Sequence, residues 1–140
     1  MDRLAEEQSL ARWWEEHSEL DGLVEAVEQT MGEGDAARAA QALEQLDEAL
    51  DAHFAVEEQV YFPLVERFSP LHSSVVQAAR LGHTKIRERM RALRGLVANG
   101  EIDPARRALF VLLDRFRTHE TEERKLILEL EALADKPAER

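Results

Sequence analysis

Apolar side chains recur at alternating three- and four-residue steps in four segments of the chain, and clusters of Gly, Pro, Asp and Ser divide the segments at intervals of about 30 residues. That is a helix period, and no stretch carries the two-residue alternation of a strand. The first stripe reads Leu10, Trp13, His17, Leu20, Val24, Val27, Met31 and stops at Gly32-Glu33-Gly34. Asp35 supplies a cap for the second, Ala39, Leu43, Leu46, Leu50, His53, Glu57, Val60, Leu64, Phe68. Pro63 within it predicts a kink of the last turn or a local break in the hydrogen-bond ladder. Ser69-Pro70 reads as a cap followed by proline at the first helical position, opening the stripe Val75, Ala79, His83, Ile86, Met90, Leu93, Val97, which ends at Asn99-Gly100. Asp103-Pro104 repeats that start for Leu109, Leu112, Phe116, His119, Glu123, Leu126, Leu130. Four long helices joined by turns of about 3–5 residues predict an all-α, up-down-up-down antiparallel four-helix bundle. At 44% apolar residues, positions 1–140 suffice for one core and are expected to form a single domain.

Four of the five histidines, His17, His53, His83 and His119, fall one per predicted helix where an apolar residue belongs. His53 and His119 are each followed four residues later by a glutamate, Glu57 and Glu123, which puts each pair on one helix face. Counted to the nearest turn at about 1.5 Å per residue, the four imidazoles lie within roughly a turn and a half of one height. Six ionisable groups then meet in one core layer, and burying them unpaired would cost several kcal/mol in aggregate. A metal centre removes that cost. Any one of these histidines alone reads more simply as a hydrogen-bonded core residue; shared register, shared height and two in-phase glutamates reverse that reading for the set. With no cysteine in the chain, thiolate ligands, iron–sulfur clusters and disulfides are excluded, so the donors are imidazole and carboxylate, which suit Fe, Mn, Zn or Co. No Glu-x-x-His occurs, which sets aside the ferritin-like dimetal pattern.

The formal net charge of −11 argues against nucleic acid as a partner and against anionic membranes. Residues 1–68 carry 18 acidic and 4 basic side chains, residues 69–140 carry 11 and 14, so the halves are expected to be electrostatically complementary. Arg87, Arg91 and Arg94 form a short basic stripe that reads as a solvated helix face. The opening Met1-Asp2-Arg3-Leu4-Ala5-Glu6-Glu7 has neither a basic nor an apolar leader region, and no uncharged apolar run approaches the roughly 18 residues of a membrane span, so a cytoplasmic location is expected.

Taken together, His17, His53-Phe54-Ala55-Val56-Glu57-Glu58 with the following Tyr61-Phe62-Pro63, His83, and His119 with Glu123 resemble a hemerythrin-like (HHE cation-binding) domain over almost the whole chain. The resemblance implies a non-haem centre of two Fe ions joined by a bridging oxo or hydroxo group, with Mn or Zn as alternatives that the same donors suit. Glu57 and Glu123 would bridge the metals, His17 and His53 would bind one, and His83 and His119 the other. It also implies that the protein binds or senses dioxygen or a related small ligand such as nitric oxide or peroxide. The oxygen-carrying hemerythrins place a second histidine four residues after the first in the third helix, and here that position is Arg87. Its guanidinium is expected to snorkel outward, leaving one metal short of a nitrogen. Open positions motivate an alternative, a redox enzyme of peroxide, nitric oxide or ferroxidase chemistry. A further alternative is an acidic structural or interaction bundle without metal, its core histidines satisfied by hydrogen bonds.

Around the centre, Tyr61 stands one turn beyond Glu57 and offers a phenolate ligand or a proton to bound oxygen, although a tyrosine there is more often a core aromatic. Glu58 reads as an outer carboxylate pairing with Arg87. Trp13 and Trp14 precede His17 by one turn, and Trp13 is expected to wall the pocket with its ring. His72, about 16 Å along the axis from His83, reads as a surface residue.

Overall fold

Two glycines decide where the chain turns back. The computed structural model describes the backbone of residues 3–134 and the side chains of residues 11–132, and in it α1 (Arg3–Gly32) ends at Gly34 with φ 73°. That left-handed conformation lets the Gly34 N–H bond Met31 C=O at 3.0 Å and the Asp35 N–H bond Thr30 C=O at 3.3 Å, closing the helix end. Asp35 then caps α2 (Ala36–Val56), its carboxylate accepting from the Arg38 N–H at 3.1 Å. Gly100, φ 74°, repeats the device after α4 (Ser73–Ala98), with Glu101 N–H on Leu96 C=O at 2.9 Å and Gly100 N–H on Val97 C=O at 3.0 Å. The last helix, α5, spans Ile102–Ala134. No strand occurs among the described residues, and no described helix is long and apolar enough to cross a membrane.

Two of the expected starts differ. Ser69 caps no α-helix: its hydroxyl meets His72 Nδ1, Pro70–His72 winds as a 3-10 turn, and α4 begins only at Ser73. Helix α5 begins two residues early, at Ile102, so Asp103 lies in its first turn, where a negative charge suits the helix dipole, and accepts from Arg106 at 2.9 Å.

The second rod carries the largest local irregularity. α2 runs through a π-turn, Glu57–Tyr61, into α3 (Phe62–Phe68) with right-handed helical φ and ψ at both junctions. The Phe62 N–H reaches five residues back to Glu57 C=O. Pro63 explains the widened turn: it brings no N–H, and in an α-helix its ring would crowd the carbonyl four residues back. Of the two outcomes expected at Pro63, the structure takes the local break in the hydrogen-bond ladder, in the turn just before the proline. An extra residue in that turn shifts the apolar face, so Val60 is only half-buried and Phe68 is exposed, while Tyr61, Phe62, Leu64 and Val65 fill the core. At the start of α4, Val75 likewise faces outward and Val76 is buried.

Elsewhere the stripes turn inward as read, except that the side chain of Leu10 lies outside the described residues. α1 packs on α2 and α5, and α4 packs on the same two helices. The core falls into two hydrophobic clusters. One joins Leu20, Leu43, Leu46, Met90, Leu93 and Leu112; the other joins Trp13, Tyr61, Phe62, Val76, Leu126 and Leu130. On each rod the histidine position falls between its contributions to the two clusters or at the edge of one, so the polar side chains form a layer within an apolar interior. The charge asymmetry is expressed across helix pairs: Arg94 meets Asp47 at 2.6 Å, Arg87 meets Asp51 at 3.3 Å, and Arg80 meets Glu66 at 3.3 Å. Arg87 and Arg94 of the basic stripe thus face carboxylates of α2, each half-exposed pair being worth at most about 1 kcal/mol.

Candidate metal centre

Helical spacing delivers the polar layer. His53 and Glu57 share one face of the α2 rod, His119 and Glu123 one face of α5, and their rings and carboxylates approach to 3.2 Å and 2.8 Å. α1 adds His17, whose Nε2 is 2.8 Å from His53 Nε2. α4 adds His83, whose Nε2 is 3.0 Å from Glu57 Oε1 and 2.9 Å from Glu123 Oε2. All six side chains are buried, His119 the least so at 9% exposure. They form two overlapping quartets, His17, His53, Glu57, Glu123 and Glu57, His83, His119, Glu123, within each of which one donor atom per residue lies within 4.8 Å of the others.

Residues that periodicity does not single out hold these groups in place. Glu16 accepts from His53 Nδ1 at 2.9 Å, and Glu58 accepts from His83 Nδ1 at 2.6 Å. A carboxylate only accepts, so each bond puts the proton on Nδ1 and leaves the Nε2 lone pair facing the layer. Glu120 lies 2.9 Å from His17 Nδ1. Trp13 does more than wall the site: it stacks on His17 with centroids 3.6 Å apart, and its indole N–H donates to Glu57 Oε2 at 2.8 Å. Phe54 stacks on His83 at 3.8 Å. The signal for Glu16, Glu58 and Glu120 was adjacency, since each stands next to a ligand candidate in the sequence, at His17, Glu57 and His119.

Other expected positions resolve as follows. Arg87 turns away from the layer to Asp51 at 3.3 Å and Glu58 at 3.4 Å. Tyr61 is buried in the π-turn, and burial, then the charges of Glu16 and Glu57, push its hydroxyl above the usual tyrosine range. His72 is half-buried and meets Glu129 of α5 at 2.7 Å, remote from the layer.

Burial and the close approach of the layer's groups shift their protonation in opposite directions. Burial would raise Glu57, but the neighbouring rings of His53 and His83 outweigh it and hold its carboxyl well below the usual range. Burial and the neighbouring Glu57 charge push Glu123 well above it. Two carboxylates in one dry layer cannot both ionise without a cation, so their titrations are driven apart. Burial and the nearby His83 likewise lower His119 to about 4. His17 Nδ1, Glu57 Oε1 and His119 Nε2 have no aligned hydrogen-bond partner although polar atoms stand within about 3 Å of each. Leaving such atoms unsatisfied costs roughly 1–3 kcal/mol each, and a cation held by inward-facing lone pairs removes that cost for Glu57 Oε1 and His119 Nε2. The donor set, imidazole nitrogen and carboxylate oxygen with no sulfur, fits borderline divalent ions.

A family model described as the hemerythrin HHE cation-binding domain matches residues 8–131. Comparison with curated proteins and with solved structures gave no match.

Proposed function

The chain belongs to the hemerythrin HHE cation-binding domain family, and from that membership we propose that its polar layer holds a pair of iron ions and that the protein binds or senses dioxygen or a related small ligand, such as nitric oxide or peroxide. In this reading Glu57 and Glu123 are shared between the ions, with His17 and His53 on one and His83 and His119 on the other. The observation that carries it is the overlap of two buried quartets in those two glutamates. A carboxylate has two oxygens and can serve two cations at once, whereas an imidazole offers one inward lone pair. The bound ions would supply a redox-active Lewis-acid position for the small ligand.

The chain's own residues have the supporting tasks. Glu16 and Glu58 fix the tautomer and direction of His53 and His83, as outer carboxylates do for metal-bound imidazoles. Trp13 holds one Glu57 oxygen and, with Phe54, excludes water from the rings it stacks on. Burial and the charges of Glu16 and Glu57 favour the protonated form of Tyr61, which suits a proton donor better than a phenolate ligand. An up-down-up-down order of the rods is the arrangement that brings the four histidines to one height.

Arg87 favours a second reading, a redox enzyme acting on peroxide, nitric oxide or ferrous iron. It occupies the place of a further histidine yet engages Asp51 and Glu58, so it contributes no donor and would leave a coordination position open. One experiment tests both. Protein loaded anaerobically with ferrous iron should hold about two ions per chain and change its absorption on exposure to dioxygen. Multiple turnover of peroxide or nitric oxide by the same sample would favour the enzyme. Absence of stoichiometric iron would sink both readings and leave the metal-free acidic bundle.

A further inference from the structure

Around the polar layer, three of the rods deliver a residue adjacent to their own ligand candidate to the imidazole of the next rod. Glu16, beside His17 on α1, reaches His53 Nδ1 on α2 at 2.9 Å. Glu58, beside Glu57, reaches His83 Nδ1 on α4 at 2.6 Å. Glu120, beside His119 on α5, stands 2.9 Å from His17 Nδ1 on α1. The remaining step of this circuit runs from α4 to α5, and the residue standing there, beside His83, is Gly82. An added Cβ at Gly82 would lie 2.6 Å from His119 Nδ1 and 3.0 Å from Cε1, closer than carbon and ring atoms tolerate.

We propose that Gly82 is the positioning residue for His119: where the other three rings meet a carboxylate at Nδ1, this one seats its Nδ1 edge against the bare backbone of α4. The inference rests on the reading of the layer as a metal centre. Glycine weakens a helix interior relative to alanine, and of the two glycines inside α4 it is Gly82, not Gly95, that a ring approaches this closely. The contact fixes more than packing. An imidazole is a short, rigid side chain, so a shift at Nδ1 moves Nε2, which is 2.8 Å from Glu123 Oε2. A cavity of about 290 Å³ between α4 and α5, lined by both Gly82 and His119, gives a displaced ring room to swing. A methyl group at position 82 is therefore relieved by moving the ring rather than by parting the helices, and the donor leaves the layer while the fold persists.

Gly95, in the same helix, supplies the control, because a Cβ there meets nothing within 4 Å. The full chain and its Gly82→Ala and Gly95→Ala variants should be compared by ferrous-iron affinity under anaerobic conditions and by the thermal midpoint of their metal-free forms. Gly95→Ala should keep the wild-type affinity and a midpoint no lower than wild type. Gly82→Ala should stay folded and lose about 10- to 100-fold in affinity, the range for removing an outer support of a metal ligand. Wild-type affinity in Gly82→Ala, beside an iron-binding wild type, would overturn this inference alone; a wild type that takes up no iron would overturn the functional reading and this inference with it. Should Gly82→Ala fail to fold, the metal-free stability of the Gly82→Ala/His119→Ala variant against that of His119→Ala alone decides. If the methyl acts through the ring, Gly82→Ala costs nothing further once the ring is gone, and an unchanged loss in that background would refute the contact.

Discussion

Glu57 and Glu58 are neighbours in sequence with opposite surroundings. Glu57 is buried, accepts from the Trp13 indole N–H and stands within 3.2 Å of the rings of His53 and His83, whereas Glu58 is partly exposed and divides itself between His83 Nδ1 and Arg87. Replacing Glu57 with Gln puts an amide N–H₂, which can only donate, where an oxygen faces the layer, so iron retention should be abolished. Glu58→Gln keeps one acceptor for His83 and should cost no more than about 10- to 100-fold in affinity. Iron titration of the two variants checks this; equal losses would undo the assignment of inner and outer carboxylate. The inner residues were legible because i, i+4 spacing is a property of one helix. Glu16 and Glu120 were not, because each acts on a ring of a different rod, and nothing local to the sequence says which rod will stand beside it.

At the scale of the helices, periodicity carried the reading wherever the α-helical repeat was unbroken, as in α1 and α5, whose stripe residues from Trp13 and from Leu109 onward are buried as expected. It slipped where the repeat changed. The π-turn ahead of Pro63 rotates the following residues, exchanging Val60 and Phe68 for Tyr61, Phe62 and Val65 in the core. The 3-10 turn before α4 has a comparable effect on the first turn of that helix, where Val76, not Val75, is buried. Val76→Ala should cost roughly 2 kcal/mol by the two methyl groups it removes from the interior, with Val75→Ala within about 0.5 kcal/mol of wild type. Denaturant unfolding of both variants measures the difference, and a larger loss for Val75→Ala would mean that the register of α4 is wrong by one residue.

For the whole molecule, the polar layer couples stability to the cation. Glu57 Oε1 and His119 Nε2 without an aligned partner, and two carboxylates driven apart in titration, sit in the middle of an otherwise apolar interior, so a cation bound there should stabilise the fold. Free metal at 100 times its dissociation constant should add about 2.7 kcal/mol by linkage, provided the unfolded chain binds none. A strong chelator should accordingly lower the thermal midpoint by something on the order of 5–10 °C for a domain of this size. An unchanged midpoint would favour histidines that are merely hydrogen-bonded within the core.

What the amino-acid sequence determined alone was everything that follows from one helix at a time: the helical class, the turns at Gly34 and Gly100, and the six buried groups, because helical periodicity and glycine's backbone freedom are local. The tertiary structure alone decided the relations between rods. It set which carboxylate clamps which ring, sent Arg87 to Asp51 and Glu58, gave Glu57 to Trp13, and put the Nδ1 edge of His119 against Gly82. Those contacts join residues tens of positions apart, and their distances depend on how close two helix backbones come, which packing of the whole core sets and no single segment encodes.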